Sequence, residues 1–151
     1  MKDKVTVSTI MTTELVQLNV SDDLYKAEKL FKKHKIRHLP IVNNKKIVGI
    51  LSYTDLMRIS YADVVDEDDD TVESIVYDMF SVPQVMMNKP VVVSPKTTIK
   101  EVAEILSVRE FHALPVVEND ILVGIVTTTD LIKYFHDEFY EKKTDSRLKQ
   151  S

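Results

Sequence analysis

The chain has 151 residues, no cysteine and two glycines, and its 20 Lys and Arg against 24 Asp and Glu give a formal net charge of −4. Without cysteine, disulfide frameworks, zinc ribbons and thiol nucleophiles are excluded. The acidic balance argues against a nucleic-acid groove, which needs a basic stripe. The N-terminus has no signal-peptide core, and no apolar run approaches the roughly 18 residues that span a bilayer, so a cytoplasmic protein without membrane contact is expected.

In chain order, Val16-Gln17-Leu18-Asn19-Val20 alternates apolar and polar residues, as a half-buried strand does. Leu24, Ala27, Leu30 and Phe31 then form a one-sided stripe on a helix, with Asp22 and Asp23 near its start. A strand from His38 to Val42, a polar turn at Asn43-Asn44-Lys45-Lys46 and a strand from Ile47 to Leu51 read as a hairpin, because Asn tolerates turn geometry. The phrase Gly49-Ile50-Leu51-Ser52-Tyr53-Thr54-Asp55-Leu56 follows, and its Asp is expected to open a second helix. Asp66 to Asp70 reads as a solvated loop. After it, Val72, Ile75, Val76, Met79 and Phe80 mark a short amphipathic helix with capping spacing at Asp70 and Glu73, expected to dock on the second repeat.

The same order then recurs. Val91-Val92-Val93 is a short buried strand stopped by Ser94-Pro95. Ile99, Val102, Ile105 and Leu106 repeat the helical stripe, now with Thr98 and Glu101 at capping-box spacing. A strand from Ala113 to Val117, a turn at Glu118-Asn119-Asp120 and a strand from Ile121 to Val126 lead to Gly124-Ile125-Val126-Thr127-Thr128-Thr129-Asp130-Leu131. The last helix carries Leu131, Phe135 and Phe139 at steps of four, and after Lys142 a polar, frayed tail is expected. The two glycines lie 75 positions apart, and that offset aligns Met11–Leu56 with Met86–Leu131 without a gap. Each unit is strand-helix-strand-strand-helix, of the α+β (α/β) class, and too small to bury a core well alone. The expected boundaries are 8–62 for the first unit, 63–82 for the acidic loop and short helix, 83–140 for the second unit and 141–151 for the tail.

The doubled phrase Gly-hydrophobic-hydrophobic-Ser/Thr-x-x-Asp, each preceded by a Leu-Pro-hydrophobic-Val strand, resembles the cystathionine-beta-synthase (CBS) domain, a tandem pair of which is the Bateman module. The resemblance runs from about Thr9 to about Phe139. It implies two β-α-β-β-α repeats packed sheet to sheet about a pseudo-twofold axis, with two clefts. Those clefts commonly bind adenosine-containing ligands: AMP, ADP or ATP, sometimes S-adenosylmethionine or a dinucleotide. By the same resemblance Asp55 and Asp130 would bond ribose hydroxyls and Ser52 and Thr127 would contact phosphate, with Thr54 and Thr129 also matching the family pattern. A basic residue at the matching edge often faces phosphate. Here that edge is Arg37-His38 in one copy and His112-Ala113 in the other, so the first is expected to contribute more. Adenine would lie against Val16, Ile36 and Ile41, or Val91, Phe111 and Val116. The resemblance further implies a free-standing regulatory module rather than an enzyme, a flat homodimer through the apolar faces of the helices after Asp55 and Asp130, and an unidentified regulated protein partner.

Plainer readings compete. Ser52-x-x-Asp55 also suits an ordinary helix start. Asp66-x-Asp68-x-Asp70 begins like an EF-hand loop, but Thr71 stands where glycine makes the turn and Tyr77 where the bidentate Glu must be. His34, His38, His112 and His136 make no complete ligand set, so no metal site is expected. Lys26, Lys29, Lys32 and Lys33 make a solvated helix face, and Met86-Met87 reads as packing, with Met11 and Met86 at matching positions. Gly49 and Gly124 would let a ligand or a facing strand approach the backbone. With two glycines, neither a P-loop nor a dinucleotide fingerprint fits, and no base partners a serine nucleophile. A ligand-independent scaffold remains the alternative to a sensor.

Overall fold

The computed structural model describes residues 4–62 and 76–148. They fall into two compact units that do not follow the repeats. The Gly49 unit comprises Glu14–Val91 with Asn119–Leu122, and the Gly124 unit comprises Met1–Thr13, Val92–Glu118 and Val123–Ser151. The mixture of helices and strands is that of the α+β class.

The Gly49 unit contains β1 (Leu18–Asn19), α1 (Leu24–His34), β2 (His38–Asn43), β3 (Lys46–Ser52), α2 (Tyr53–Ala62), helical residues 76–79, α3 (Val82–Val85) and β4 (Met87–Asn88). Its four strands lie in the order β1-β2-β3-β4, with β1 parallel to β2 and the other pairs antiparallel. The Asp23 carboxylate caps α1 by accepting from the Lys26 N–H at 2.9 Å, and the helix ends at Lys35 in a left-handed conformation (φ 53°). The α1 stripe does its expected work: Leu24, Ala27 and Phe31 are buried with Leu18, Leu39, Ile41, Leu51 and Leu56 in one core. The strand expected over Val16–Val20 is confined to Leu18–Asn19. Beyond it, Ser21 N–H donates to Asn19 Oδ1 and Asn19 N–H donates to Asp22 Oδ2, which turns the chain toward α1.

The acidic loop, the EF-hand-like run and the start of the amphipathic helix, with its Asp70 and Glu73, lie outside the described residues. Residues 76–79 are helical, and Val76 and Tyr77 are buried in the Gly49 unit core, where Tyr77 meets the α1 residue Tyr25 edge-on at 5.2 Å. This stretch therefore packs on the first repeat and not, as expected, on the second.

The Gly124 unit contains a 3-10 turn (Val7–Thr9), α4 (Ile99–Val108), β5 (Ala113–Glu118), all but the first two residues of β6 (Ile121–Thr127) and α5 (Thr128–Leu148). Thr98 and Glu101 form the expected capping box on α4, through Glu101 N–H to Thr98 Oγ1 at 3.1 Å and Thr98 N–H to the Glu101 carboxylate at 3.0 Å. The strand expected at Val91–Val93 is reduced to one parallel bridge, Val93 to Val116. Pro90 and Pro95 flank it and have no N–H to extend a ladder. α5 continues to Leu148, beyond the expected start of a frayed tail; 128–148 holds neither Gly nor Pro to stop it.

Both sheets take an edge from the other repeat. β4 lies at the start of the second repeat yet pairs with β3 of the first, Ile50 opposite Met87. Thr12 lies at the start of the first repeat yet pairs with Ile125 of β6 in the second. These pairs are equivalent at the 75-residue offset, so the lead-in segments are exchanged.

Each hairpin turns through two residues with positive φ: Asn44 and Lys45 at 50° and 69°, Asn119 and Asp120 at 51° and 65°. That geometry matches strand twist and favours Gly at the second position. Lys45→Gly is expected to raise stability by a few tenths to about 1 kcal/mol, relief of left-handed strain outweighing the added backbone entropy. A shift of the urea midpoint to higher concentration checks it.

Candidate ligand site

The glycines are explained by the exchanged strands. A Cβ on Gly49 would collide with Met86 Sδ and lie 2.9 Å from both Met86 Cγ and the Met87 carbonyl oxygen. One on Gly124 would lie 2.8 Å from Met11 Sδ and 3.2 Å from both Met11 Cγ and the Thr12 carbonyl oxygen. Neither glycine has positive φ, so what they supply is space for a facing methionine and its backbone.

That packing fixes β3 and β6, and each strand delivers its last residue to a helix head. α2 starts at Tyr53 and α5 at Thr128, two residues ahead of the aspartates. Ser52 and Thr127 are therefore the N-caps, and Asp55 and Asp130 do not open their helices but sit in the third helical position. Asp55 N–H donates to Ser52 Oγ at 3.0 Å, and Asp130 N–H donates to Thr127 Oγ1 at 3.2 Å. In the second copy the bond is returned, Thr127 N–H donating to Asp130 Oδ2 at 2.9 Å. In the first, the Asp55 carboxylate lies 3.5 Å from the Arg58 guanidinium. The plain capping role is thus fulfilled at both places. All four side chains remain half-buried. Ser52→Ala and Thr127→Ala are each expected to cost about 1 kcal/mol of stability as lost N-caps, measured by urea denaturation.

Neighbouring backbone ties the edge residues to these boxes. Tyr53 N–H donates to the Arg37 carbonyl at 2.8 Å, and Thr128 N–H donates to that of His112 at 3.0 Å. His38 stands opposite Ser52 in the β2–β3 ladder. The Gly49 unit so assembles Arg37, His38, Ser52, Thr54 and Asp55, and the Gly124 unit His112, Ala113, Thr127, Thr129 and Asp130. Arg37, Thr54, His112 and Thr129 are exposed, while Ala113 is buried. Of the expected adenine walls, Val16 and Ile36 are half-buried against the Gly49 unit core, Val91 belongs to that same unit, and Phe111 is half-buried in the Gly124 unit. Ile41 and Val116 are wholly buried strand residues with no surface to offer a ligand.

Within the Gly124 unit a groove of about 390 Å³ opens beside Asp130, lined by Thr9, Ile10, Asp130, Lys133, Tyr134, Asp137, Glu138 and Glu141. Its size suits a small ligand. Asp130 is the one expected ligand residue on its wall. Thr9 and Ile10 come from the exchanged lead-in, just before Met11; the start of the gap-free repeat at Met11 was the signal that pointed there. The α5 residues were unmarked by any motif. Among the described residues, no group of His, Asp and Glu is placed to hold a metal ion, and no helix is long and apolar enough to cross a membrane.

A fold of paired strand-helix-strand-strand-helix repeats, each with a hydroxyl–carboxylate box at a helix head, defines the class of protein, and the comparisons agree. The family model for the CBS domain matches residues 7–62 and 82–137, and the chain belongs to the CBS-domain family as a tandem pair. It is 30% identical over 135 residues to inosine-5'-monophosphate dehydrogenase of Staphylococcus epidermidis, a match covering 87% of this chain and 24% of that protein. The chain thus spans about a quarter of the dehydrogenase it matches. Among solved structures, a protein assigned to acetoin utilization (AcuB) from Vibrio cholerae superposes with a TM-score of 0.75 at 28% identity, covering 93% of this chain and 96% of that one. CBSX2 of Arabidopsis thaliana, in complex with AMP, superposes with a TM-score of 0.72 at 24% identity, covering 88% of this chain and 97% of that one.

Proposed function

We propose that the protein is a regulatory module that binds an adenosine-containing ligand, AMP, ADP or ATP, at its hydroxyl–carboxylate boxes and passes the occupancy to a protein partner. The observation that carries this reading is the recurrence of one box, Ser52–Asp55 and Thr127–Asp130, at two helix heads with half-buried carboxylates and a groove beside one of them. A carboxylate accepts from two vicinal ribose hydroxyls, and such charge-assisted bonds are the stronger kind. Ser52 Oγ accepts from Asp55 N–H, which leaves its own O–H to donate to a phosphate oxygen. The Thr54 and Thr129 N–H groups, in the second helical position, have no intrahelical acceptor and point their dipole at an anion. Arg37 and His38 border the first box and would favour phosphate there. The AMP complex of CBSX2 supports the ligand class, and S-adenosylmethionine or a dinucleotide are alternatives within it. Ligand binding changes a partner's behaviour only through its differential affinity for two states of the module.

The second reading is a ligand-independent scaffold. It is favoured by the complete capping geometry and by exposed Ile132, Phe135, Phe139 and Tyr140 on α5. That apolar face suits a homodimer through α5. On α2, by contrast, Leu56 is buried and Met57 and Ile59 pack against the core. Thermal unfolding with adenosine, AMP, ADP, ATP and S-adenosylmethionine separates the readings. A ligand bound at 100 times its Kd stabilises by about 2.7 kcal/mol, so the melting temperature should rise by several degrees and lose that rise in Asp55→Ala or Asp130→Ala. A melting temperature unmoved by every compound selects the scaffold.

A further inference from the structure

The two boxes differ in what surrounds their carboxylates. Resting on the ligand reading above, we infer that the groove beside Asp130 selects adenosine-type ligands of low negative charge and turns away polyphosphates, with Asp137 and Glu141 as the specificity-determining residues. Its wall carries four carboxylates, Asp130, Asp137, Glu138 and Glu141, against the single ammonium of Lys133. Asp130, Tyr134, Asp137 and Glu141 succeed one another at steps of four, three and four along α5, so they share one helix face. Asp130 lies in the first turn, where the helix dipole offsets negative charge, and that help fades within a turn. Asp137 and Glu141 lie beyond its reach. A ligand anchored by its ribose on Asp130 and extending along the groove passes both, and each added phosphate charge meets repulsion.

The capping box does not require these acids. At the equivalent positions of the other copy, Lys133, Tyr134 and Asp137 are replaced by Arg58, Ile59 and Ala62, His112 by Arg37, and Glu138 and Glu141 by Asp63 and Asp66. Within the first two turns after Ser52–Asp55 the added charge is the cationic Arg58, with Arg37 at the edge; the groove wall beside Asp130 is mostly anionic. Of the four acids, Asp137 is the one without an acidic counterpart in the other copy. Asp137 and Glu141 are exposed, so their influence is screened and falls with added salt.

The test is calorimetric titration of adenosine, AMP and ATP into the full chain carrying Asp55→Ala, at low and at high salt. At low salt ATP is expected to bind roughly tenfold more weakly than adenosine, and high salt should narrow the gap. Adding Asp137→Asn and Glu141→Gln should narrow it at low salt too, by tightening ATP more than adenosine. ATP binding as tightly as adenosine, or a gap that the double substitution leaves intact, overturns the inference while sparing the ligand reading. Absence of any binding that Asp130→Ala removes overturns the ligand reading at this box and, with it, this inference.

Discussion

Gly49→Ala lowers stability by about 1–3 kcal/mol, the usual cost of overpacking a filled site, and Gly124→Ala lowers it by less. The difference lies in what each new methyl meets. At Gly49 it is wedged against the Met86 side chain and, at 2.9 Å, the Met87 carbonyl, which cannot retreat without disturbing the β3–β4 pairing. At Gly124 the nearest atom is the Met11 thioether, the far part of a flexible side chain, and the Thr12 carbonyl stands off at 3.2 Å. Met11→Ala should accordingly rescue most of the Gly124→Ala loss, while Met86→Ala rescues only part of the loss at Gly49. Urea midpoints of the four single and two double variants decide the matter. Equal costs with equal rescue would show that the strand backbone plays no part.

Val7→Asp produces the larger local effect. Val7 has no exposed surface, and its N–H donates to the Thr97 carbonyl at 2.7 Å. It pins the lead-in segment that carries Thr9 and Ile10 to the groove and Thr12 to β6. An unpaired carboxylate buried there costs about 3–5 kcal/mol. Because the lead-ins are exchanged, the loss should fall on the Gly124 unit although Val7 opens the first repeat. Amide hydrogen exchange reads this directly. In the milder Val7→Ala protein the Ile125 N–H, which donates to the Thr12 carbonyl at 3.0 Å, should lose protection, while β2–β3 amides keep theirs. Protection lost first in the β2–β3 hairpin would contradict the exchange.

Much of this was written in local chemistry. The 75-residue offset, the hairpins with Asn at their turns, the Thr98–Glu101 cap and the α1 stripe depend on neighbours in sequence, and the structure reproduces them. The boxes were legible for the same reason: Ser52 and Asp55, or Thr127 and Asp130, are three residues apart on one helix start. What escaped depends on distant partners. Nothing local says that Met86 and Met87 face Gly49 across a sheet, or that Met11 and Thr12 face Gly124. Only the spacing of matched methionines and glycines hinted at it. The short helix was placed on the wrong repeat because its stripe fixes which face is apolar and not which surface receives it; Tyr25 decides that. The groove needed two remote pieces, Thr9–Ile10 and α5, to meet. The exposed Phe135 and Phe139 follow the same apolar spacing as buried Leu131, a pattern that cannot distinguish a core stripe from a face left for another molecule.

The central claim is that the carboxylates of Asp55 and Asp130 hold the sugar of an adenosine ligand in addition to serving their helices. Calorimetric titration of AMP into the wild-type protein and into the Asp55→Ala/Asp130→Ala double variant tests it most directly, with circular dichroism confirming that the variant is folded. Hydrogen bonds to a charged group contribute about 1.5–3 kcal/mol each, so the account predicts that AMP affinity falls at least about tenfold in the folded double variant. Wild-type affinity retained in that variant would contradict it.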